Sequence, residues 1–514
     1  MKHVCRTLLF LLAAQPTAAF AEVKLPNVLS DHMVLQRGAP VPIWGTAAPG
    51  EQVTVKIRDQ TKTATADTDG KWAVKLDILK AGGPDVLTVT GKNSLELKDV
   101  LVGDVWVGSG QSNMAGTVGG YAKGDPVLAK LAAASYPQLR FSKSGGKWNE
   151  SNDKSNLGAS AILFAFGVRL QQELNVPVGL MVGAVGGTPS GYWLSDAAFR
   201  SDDGVKAVVK AALPQYDPAA AKANHEKQLA KWEVDTAAAK KDNKPLPRKP
   251  AAPTPPGESN GKIGNLYETH IRPMQPFAIR GVLWDQGESG TAVNGVDQFA
   301  LMGALIKGWR KEWGQDFPFI YIQKPSGMGC AFDPDDPVTN KADKYEPLPK
   351  EVPNDGASRA LYVSLMKHPD TYMATASDLG PMVHPTNKSG YGTRAARVAL
   401  GAVYGKKIEI YGPVYKSHVV EGNKIRVMFD HIGQGLTSKH GEKLQGFAIA
   451  GADGKFVWAE AMIEGDAIVV SNAQVEKPVS LRYAFANKHT WANLFNKDGL
   501  PALPFTTEVP PVKK

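Results

Sequence analysis

The chain has 514 residues, 43% hydrophobic and 21% charged, the balance of a globular protein rather than a disordered or fibrous one. That length exceeds what one core usually holds, so two or three domains are expected. The net charge is +9, yet Lys and Arg are scattered, with no dense basic stripe interleaved with aromatics, which argues against nucleic acid as a partner.

The N-terminus reads as an export signal. Lys2 and Arg6 make a positive start, Leu8 to Ala14 is a short apolar core, and Ala19-Phe20-Ala21 fits a small-residue cleavage site. Residues 1–21 are therefore expected to be a signal peptide cut after Ala21, and the protein to be periplasmic or secreted. The apolar core is too short to span a membrane, and no later stretch reaches about 18 uninterrupted apolar residues, so no membrane insertion is expected. Cys5 leaves with the signal, and Cys330 would then be the only cysteine. No disulfide can form within one chain, and stability must come from burial.

Residues 22–97 show short alternating strands punctuated by Gly and Asp: Val41 to Gly45, Gln52 to Ile57, Lys71 to Leu76 and Asp85 to Thr90. This predicts an N-terminal β-sandwich domain. From 98 to 406 apolar strands alternate with amphipathic helices, the pattern of a parallel sheet covered on both faces. Strands are expected at 101–107, 178–184, 279–285, 317–323 and 371–377, and a helix over Ala161 to Leu174, where Ile162, Phe166, Leu170 and Leu174 recur every four residues. An insertion at 215–262 differs in character. It begins as an Ala-, Lys- and Glu-rich helical stretch and continues as a stiff proline-rich loop, either a solvated excursion or a lid over a pocket. Residues 407–510 return to short strands, either as a sandwich of their own or paired with the first.

The most informative segment is Gly110-Gln111-Ser112-Asn113-Met114, directly after the strand at 101–107. Glycines allow a tight strand-to-helix turn that lifts the Ser112 hydroxyl toward solvent at a helix N-terminus. A serine becomes a useful nucleophile only when a base takes its proton and donors hold the oxyanion. Three other strand ends supply such groups. Gly186-Gly187-Thr188-Pro189 follows the strand at 178–184, at the carboxyl edge where ligands bind in parallel sheets, and the Gly187 N–H is a candidate oxyanion donor. Trp284-Asp285-Gln286-Gly287-Glu288-Ser289 ends the next strand, with the Gln286 carboxamide as a second candidate donor. The strand at 371–377 runs through Asp378 into His384-Pro385, placing a carboxylate and an imidazole together. The order of serine, acid and base suits a serine hydrolase.

Metal and nucleotide chemistry are not supported. The ten histidines show no His-x-x-x-His spacing, no Cys-x-x-Cys occurs, and Asp333, Asp335 and Asp336 lie in a Pro-rich loop without an EF-hand pattern. The Gly-rich run Gly183 to Gly191 lacks both a Walker lysine and the dinucleotide-binding glycine order. No cofactor or metal is expected.

In Gly110–Met114, Gly186–Pro189 and Trp284–Ser289, with His384-Pro385-Thr386-Asn387-Lys388, the chain resembles the sialate O-acetylesterase family of SGNH-type carbohydrate esterases. The likeness extends to Leu29-Ser30-Asp31-His32-Met33-Val34-Leu35-Gln36 near the start and Asn496-Lys497-Asp498-Gly499-Leu500-Pro501 near the end. The resemblance implies a flavodoxin-like α/β/α hydrolase domain with flanking β-sandwich or jelly-roll-like domains. It also implies a serine esterase that removes acetyl groups from carbohydrate hydroxyls. Two departures bear on the site. Asp285 stands where many relatives carry Tyr, and Pro381 stands three residues before the histidine, where many SGNH enzymes carry the triad acid. Asp378 is the expected acid, Asp285 the alternative, and a backbone carbonyl a third way to orient the imidazole. Neutral hemicellulose such as xylan or xyloglucan is the expected substrate, with 9-O-acetyl sialate as the alternative. A sialate carboxylate would call for an arginine cluster, and Arg272, Arg280, Arg394 and Arg397 each have a structural reading. The rival from another class is a non-catalytic carbohydrate-binding protein.

Overall fold

The computed structural model describes residues 22–508 apart from Met382 and Glu442. The expected signal peptide, residues 1–21, lies outside the described residues, as do the last two residues of the stretch 407–510. Among the described residues, no helix is long and apolar enough to cross a membrane.

A large mixed sheet of 11 strands organises the chain. Its parallel part is built from β1 (Ser94–Gly110), β2 (Tyr136–Lys143), β3 (Val178–Ala184), β4 (Gly281–Asp285), β5 (Phe319–Ile322) and β6 (Thr371–Ala374). Their spatial order is β6-β5-β4-β1-β3-β2, every neighbour parallel. Without β2, the order β3-β1-β4-β5-β6 is the doubly wound 2-1-3-4-5 arrangement, in which the chain reverses direction of travel across the sheet beside its first strand. The crevice at that reversal lies outside the carboxyl ends of β1, β3 and β4.

The strands are apolar on both sides because both faces are covered. Val105, Val107, Val282, Trp284 and Met373 point into a core completed by Leu301, Leu305 and Trp309 of the helix Gln298–Trp313. Trp106, Leu283, Ile320 and Ala374 face the other way, against Phe166 and Leu170 of the helix Ala161–Leu174 and Ala395 and Ala399 of the helix Lys388–Ala402. The alternation along each strand assigns successive side chains to opposite layers.

The 17-residue strand β1 spans the position where composition changes near residue 97. Its first half pairs antiparallel with Gly82–Thr90, and its middle pairs parallel with Val34–Gln36. The N-terminal β region and the α/β region therefore share a strand, and one apolar cluster runs through both, from Val53 and Val55 to Trp309. The C-terminal region builds separate sheets, including Val414–Glu421, Lys424–Asp430, Ala467–Ser471 and Glu460–Glu464, around its own core with Ile425, Ile449 and Leu481. The insertion carries a 24-residue helix, Pro218–Lys241, with no buried residue. It packs on its own loop, where Trp232 Nε1 donates to the Pro247 carbonyl at 2.8 Å and the Lys249 ammonium lies 5.6 Å from the Trp232 ring centroid.

Candidate active site

Strand β1 ends at Gly110, which is in register with Ala184 of β3 and Asp285 of β4. Gly110 has φ +126°, and a Cβ there would sit 2.1 Å from the Asp285 carbonyl oxygen. Only glycine fits this turn. The Gln111 N–H donates to that same carbonyl at 2.8 Å, so the chain leaves the sheet under control and Ser112 opens the short helix α1 (Ser112–Ala115). Across the crevice, the Ser112 hydroxyl lies 2.7 Å from Nε2 of His384, 272 residues away in sequence. Gly186 stands against the serine, since a Cβ built on it would be 3.5 Å from the Ser112 Cβ. Gly187 follows in the left-handed conformation, φ +71°, with open space around it. His384 and Gly187 are exposed and Ser112 half-buried, so these groups lie on an open surface rather than in a closed pocket.

The expected carboxylates are engaged with other partners. Asp378 accepts from Arg394 Nη1 at 3.2 Å and Nη2 at 3.0 Å, tying the end of the β6 segment to the helix α2 (Lys388–Ala402) that follows the histidine loop. Asp285 is fully buried and accepts from Lys324 Nζ at 2.6 Å. Among the described residues, the His384 ring has one hydrogen-bond partner, Ser112. The Gln286 side chain is likewise engaged with other partners. Its amide nitrogen donates to the Thr188 carbonyl at 3.3 Å and the Gly290 carbonyl at 3.0 Å, and its oxygen accepts from Gln298 at 3.2 Å. With both N–H groups committed, it braces the loop that carries Gly187.

No protein-family model matches the chain. A sialate O-acetylesterase from Mus musculus is 28% identical over 460 residues, which is 79% of each chain. The Homo sapiens sialate O-acetylesterase is 28% identical over 447 residues, covering 76% of this chain and 73% of that one. A solved carbohydrate acetylesterase from Xanthomonas citri is 29% identical and superposes with a TM-score of 0.73, covering 95% of this chain and 100% of the other. The chain is a relative of the sialate O-acetylesterases. With them it is an ester hydrolase.

Beneath Ser112 lies a polar network that the motifs did not disclose. Lys324, 1% exposed, pairs with Asp285 and, at 3.1 Å, with Glu288. It also donates to Ser326 Oγ at 2.7 Å, and Ser326 donates to Glu288 at 2.9 Å. Glu288 in turn holds the Gln111 side chain, whose oxygen accepts from Ser289 at 2.8 Å. Burial alone would depress the Lys324 ammonium, but the two carboxylates outweigh it and raise it. Burial likewise pushes the Glu288 carboxyl up, and Lys324 with Ser326 pulls it below its ordinary value. The neighbours of Ser112 are thus fixed by charge-assisted bonds in a buried layer. Lysines count as polar in any periodicity, so no pattern in the sequence marks Lys324 as interior. A cluster of His32, Asp99 and Glu150 has metal-type side chains, but Arg140 donates to Asp99 at 2.8 Å and pairs with Glu150 at 3.5 Å. A guanidinium already holds the place a cation would take.

Proposed function

We propose that this chain is a serine-dependent carbohydrate O-acetylesterase of SGNH type, exported by its N-terminal segment. The observation that carries the reading is the 2.7 Å contact between Ser112 Oγ and His384 Nε2 at the carboxyl edge of a doubly wound sheet. His384 takes the hydroxyl proton as Ser112 attacks the acetyl carbonyl, then returns it to the departing sugar oxygen. Water, deprotonated by the same imidazole, releases acetate from the acetyl-serine. The N–H of Ser112, at the start of α1, and that of Gly187 are the oxyanion donors of this reading. The flavodoxin-like strand order supports the SGNH assignment. The open surface around His384 suits a bulky glycan.

Neutral hemicellulose is the proposed substrate class. A sialate carboxylate is best met by a free, forked guanidinium, and the four candidate arginines are committed elsewhere. Arg272 pairs with Glu268, Arg394 with Asp378, Arg397 donates to the Glu409 carbonyl at 2.6 Å, and Arg280 lies over the Tyr404 ring at 5.1 Å. The second reading, a sialate 9-O-acetylesterase, is favoured by the names of the curated relatives. Acetate release from acetylated xylan, acetylated xyloglucan and 9-O-acetyl sialate, measured side by side, separates the two. Release confined to sialate would overturn the hemicellulose reading. Labelling by a fluorophosphonate tests the nucleophile, with the label expected on the peptide that carries Ser112.

A further inference from the structure

The base of the proposed reaction sits on a loop with few bonds of its own. The described residues of 379–387 form no helix or strand, and His384 is exposed. The carbonyls of the residues on either side of it are nevertheless pinned. The Val383 carbonyl accepts from Asn113 Nδ2 at 3.0 Å, and the Pro385 carbonyl accepts from Lys388 Nζ at 2.6 Å. The two anchors are joined, because Lys388 Nζ also donates to Asn113 Oδ1 at 2.6 Å. Both side chains are completely buried, and Asn113 is the residue after the nucleophile. One hydrogen-bonded pair therefore ties the serine turn to the histidine loop.

Lys388 is an unlikely residue for a purely structural post. It is the first residue of α2, where the helix dipole disfavours a cation. Burial pushes its ammonium down to about 7, against the pull of Asp285. The ring of Tyr121 lies 4.4 Å from Nζ and that of Tyr391 5.2 Å. The two carbonyl-type acceptors match the two N–H groups of a neutral amine. An apolar side chain would fill such a site at lower cost, so the retained nitrogen points to a demand for its bonds.

We propose that Lys388, through Asn113 and the Pro385 carbonyl, is a positioning residue that holds the His384 imidazole within reach of Ser112. The inference rests on the reading of Ser112 and His384 as nucleophile and base. Its test compares wild type, Lys388→Met, Lys388→Gln, Asn113→Leu and the Lys388→Met/Asn113→Leu double variant. The measurements are kcat and KM on p-nitrophenyl acetate well below the melting temperature, with a crystal structure of Lys388→Met. A misplacement of about 1 Å at a reacting group costs on the order of 100-fold. Lys388→Met is therefore expected to lose about that much in kcat with KM little changed, and Lys388→Gln, which keeps one donor, to recover part of it. The double variant should fall no further than the worse single one, because both act through the same loop. Folded Lys388→Met with wild-type kcat overturns the proposal, as does a crystal structure in which His384 has not moved. If Lys388→Met fails to fold, Lys388→Gln decides alone: wild-type kcat overturns the proposal, and a fall in kcat at constant KM supports it. Should Ser112→Ala hydrolyse esters as fast as wild type, the functional reading fails instead. The crystallographic comparison then still judges whether Lys388 places the histidine loop.

Discussion

Asp378→Asn discriminates sharply between two accounts of the site. Loss of a triad carboxylate that orients the histidine costs up to about 10⁴ in kcat. In this structure, however, the Asp378 carboxylate faces Arg394 through two bonds, with side chains 13% and 12% exposed, and makes no bond to the imidazole. Neutralising it weakens a shielded charge-assisted fork, and hydrogen bonds to charged groups contribute about 1.5–3 kcal/mol. The expected outcome is a folded enzyme destabilised by roughly that amount. Its kcat should fall by about tenfold or less, through a looser join between the β6 end and α2. Urea unfolding gives the first quantity, and initial rates on p-nitrophenyl acetate give the second. Asp285→Asn is the companion. It removes one of two charges facing a fully buried lysine, and breaking a buried pair costs about 3–5 kcal/mol, so stability should suffer more than in Asp378→Asn. A loss of three or more orders of magnitude in kcat for well-folded Asp378→Asn would refute this reasoning and place its carboxylate on the imidazole during turnover.

Further outcomes follow from the same geometry. Gly110→Ala should yield little soluble protein, because its Cβ meets the Asp285 carbonyl oxygen at 2.1 Å. Gly187→Ala has open space and only its positive φ to overcome, so it should cost about 1–2 kcal/mol in urea unfolding while the protein still folds. The Lys388 ammonium, buried near Asp285, Glu288, Lys324 and Asp125, titrates at about 7 in the fold against about 10.4 when unfolded. Between those values the unfolded chain binds the extra proton, so wild-type stability should rise with pH relative to Lys388→Met. A flat difference between pH 7 and 10 would contradict that sign. Replacing residues 219–249 by a flexible linker should leave both melting and p-nitrophenyl acetate hydrolysis unchanged, since the helix there buries nothing.

The parts of the fold that read clearly from sequence are those where burial is two-sided. The runs that became β1, β3, β4, β5 and β6 are apolar because helices cover both faces, and Ala161–Leu174 is apolar over most of its length because nearly every position from 161 to 170 is buried. The strand Gln60–Thr65 was not legible: it is Gln-Thr-Lys-Thr-Ala-Thr at a sheet edge, with no buried residue. At the site, glycines and motif order brought Ser112, Gly187 and His384 to one edge. The partners of the carboxylates were hidden, because nothing in the chain order shows that Arg394, in the second turn of α2, reaches back to Asp378, or that Lys324 rises beneath Asp285 from 39 residues away. Gln286 looked like an oxyanion donor by type, but its neighbours Thr188 and Gly290 claim both of its N–H groups.

The most direct test of the central claim is the rate of acetate release from an acetylated carbohydrate by wild type and by Ser112→Ala, both verified as folded. If Ser112 is the nucleophile that His384 activates across 2.7 Å, the variant should fall by about 10⁴-fold or more, leaving only the residual catalysis of binding and oxyanion donors. Equal rates for the two proteins would contradict the account.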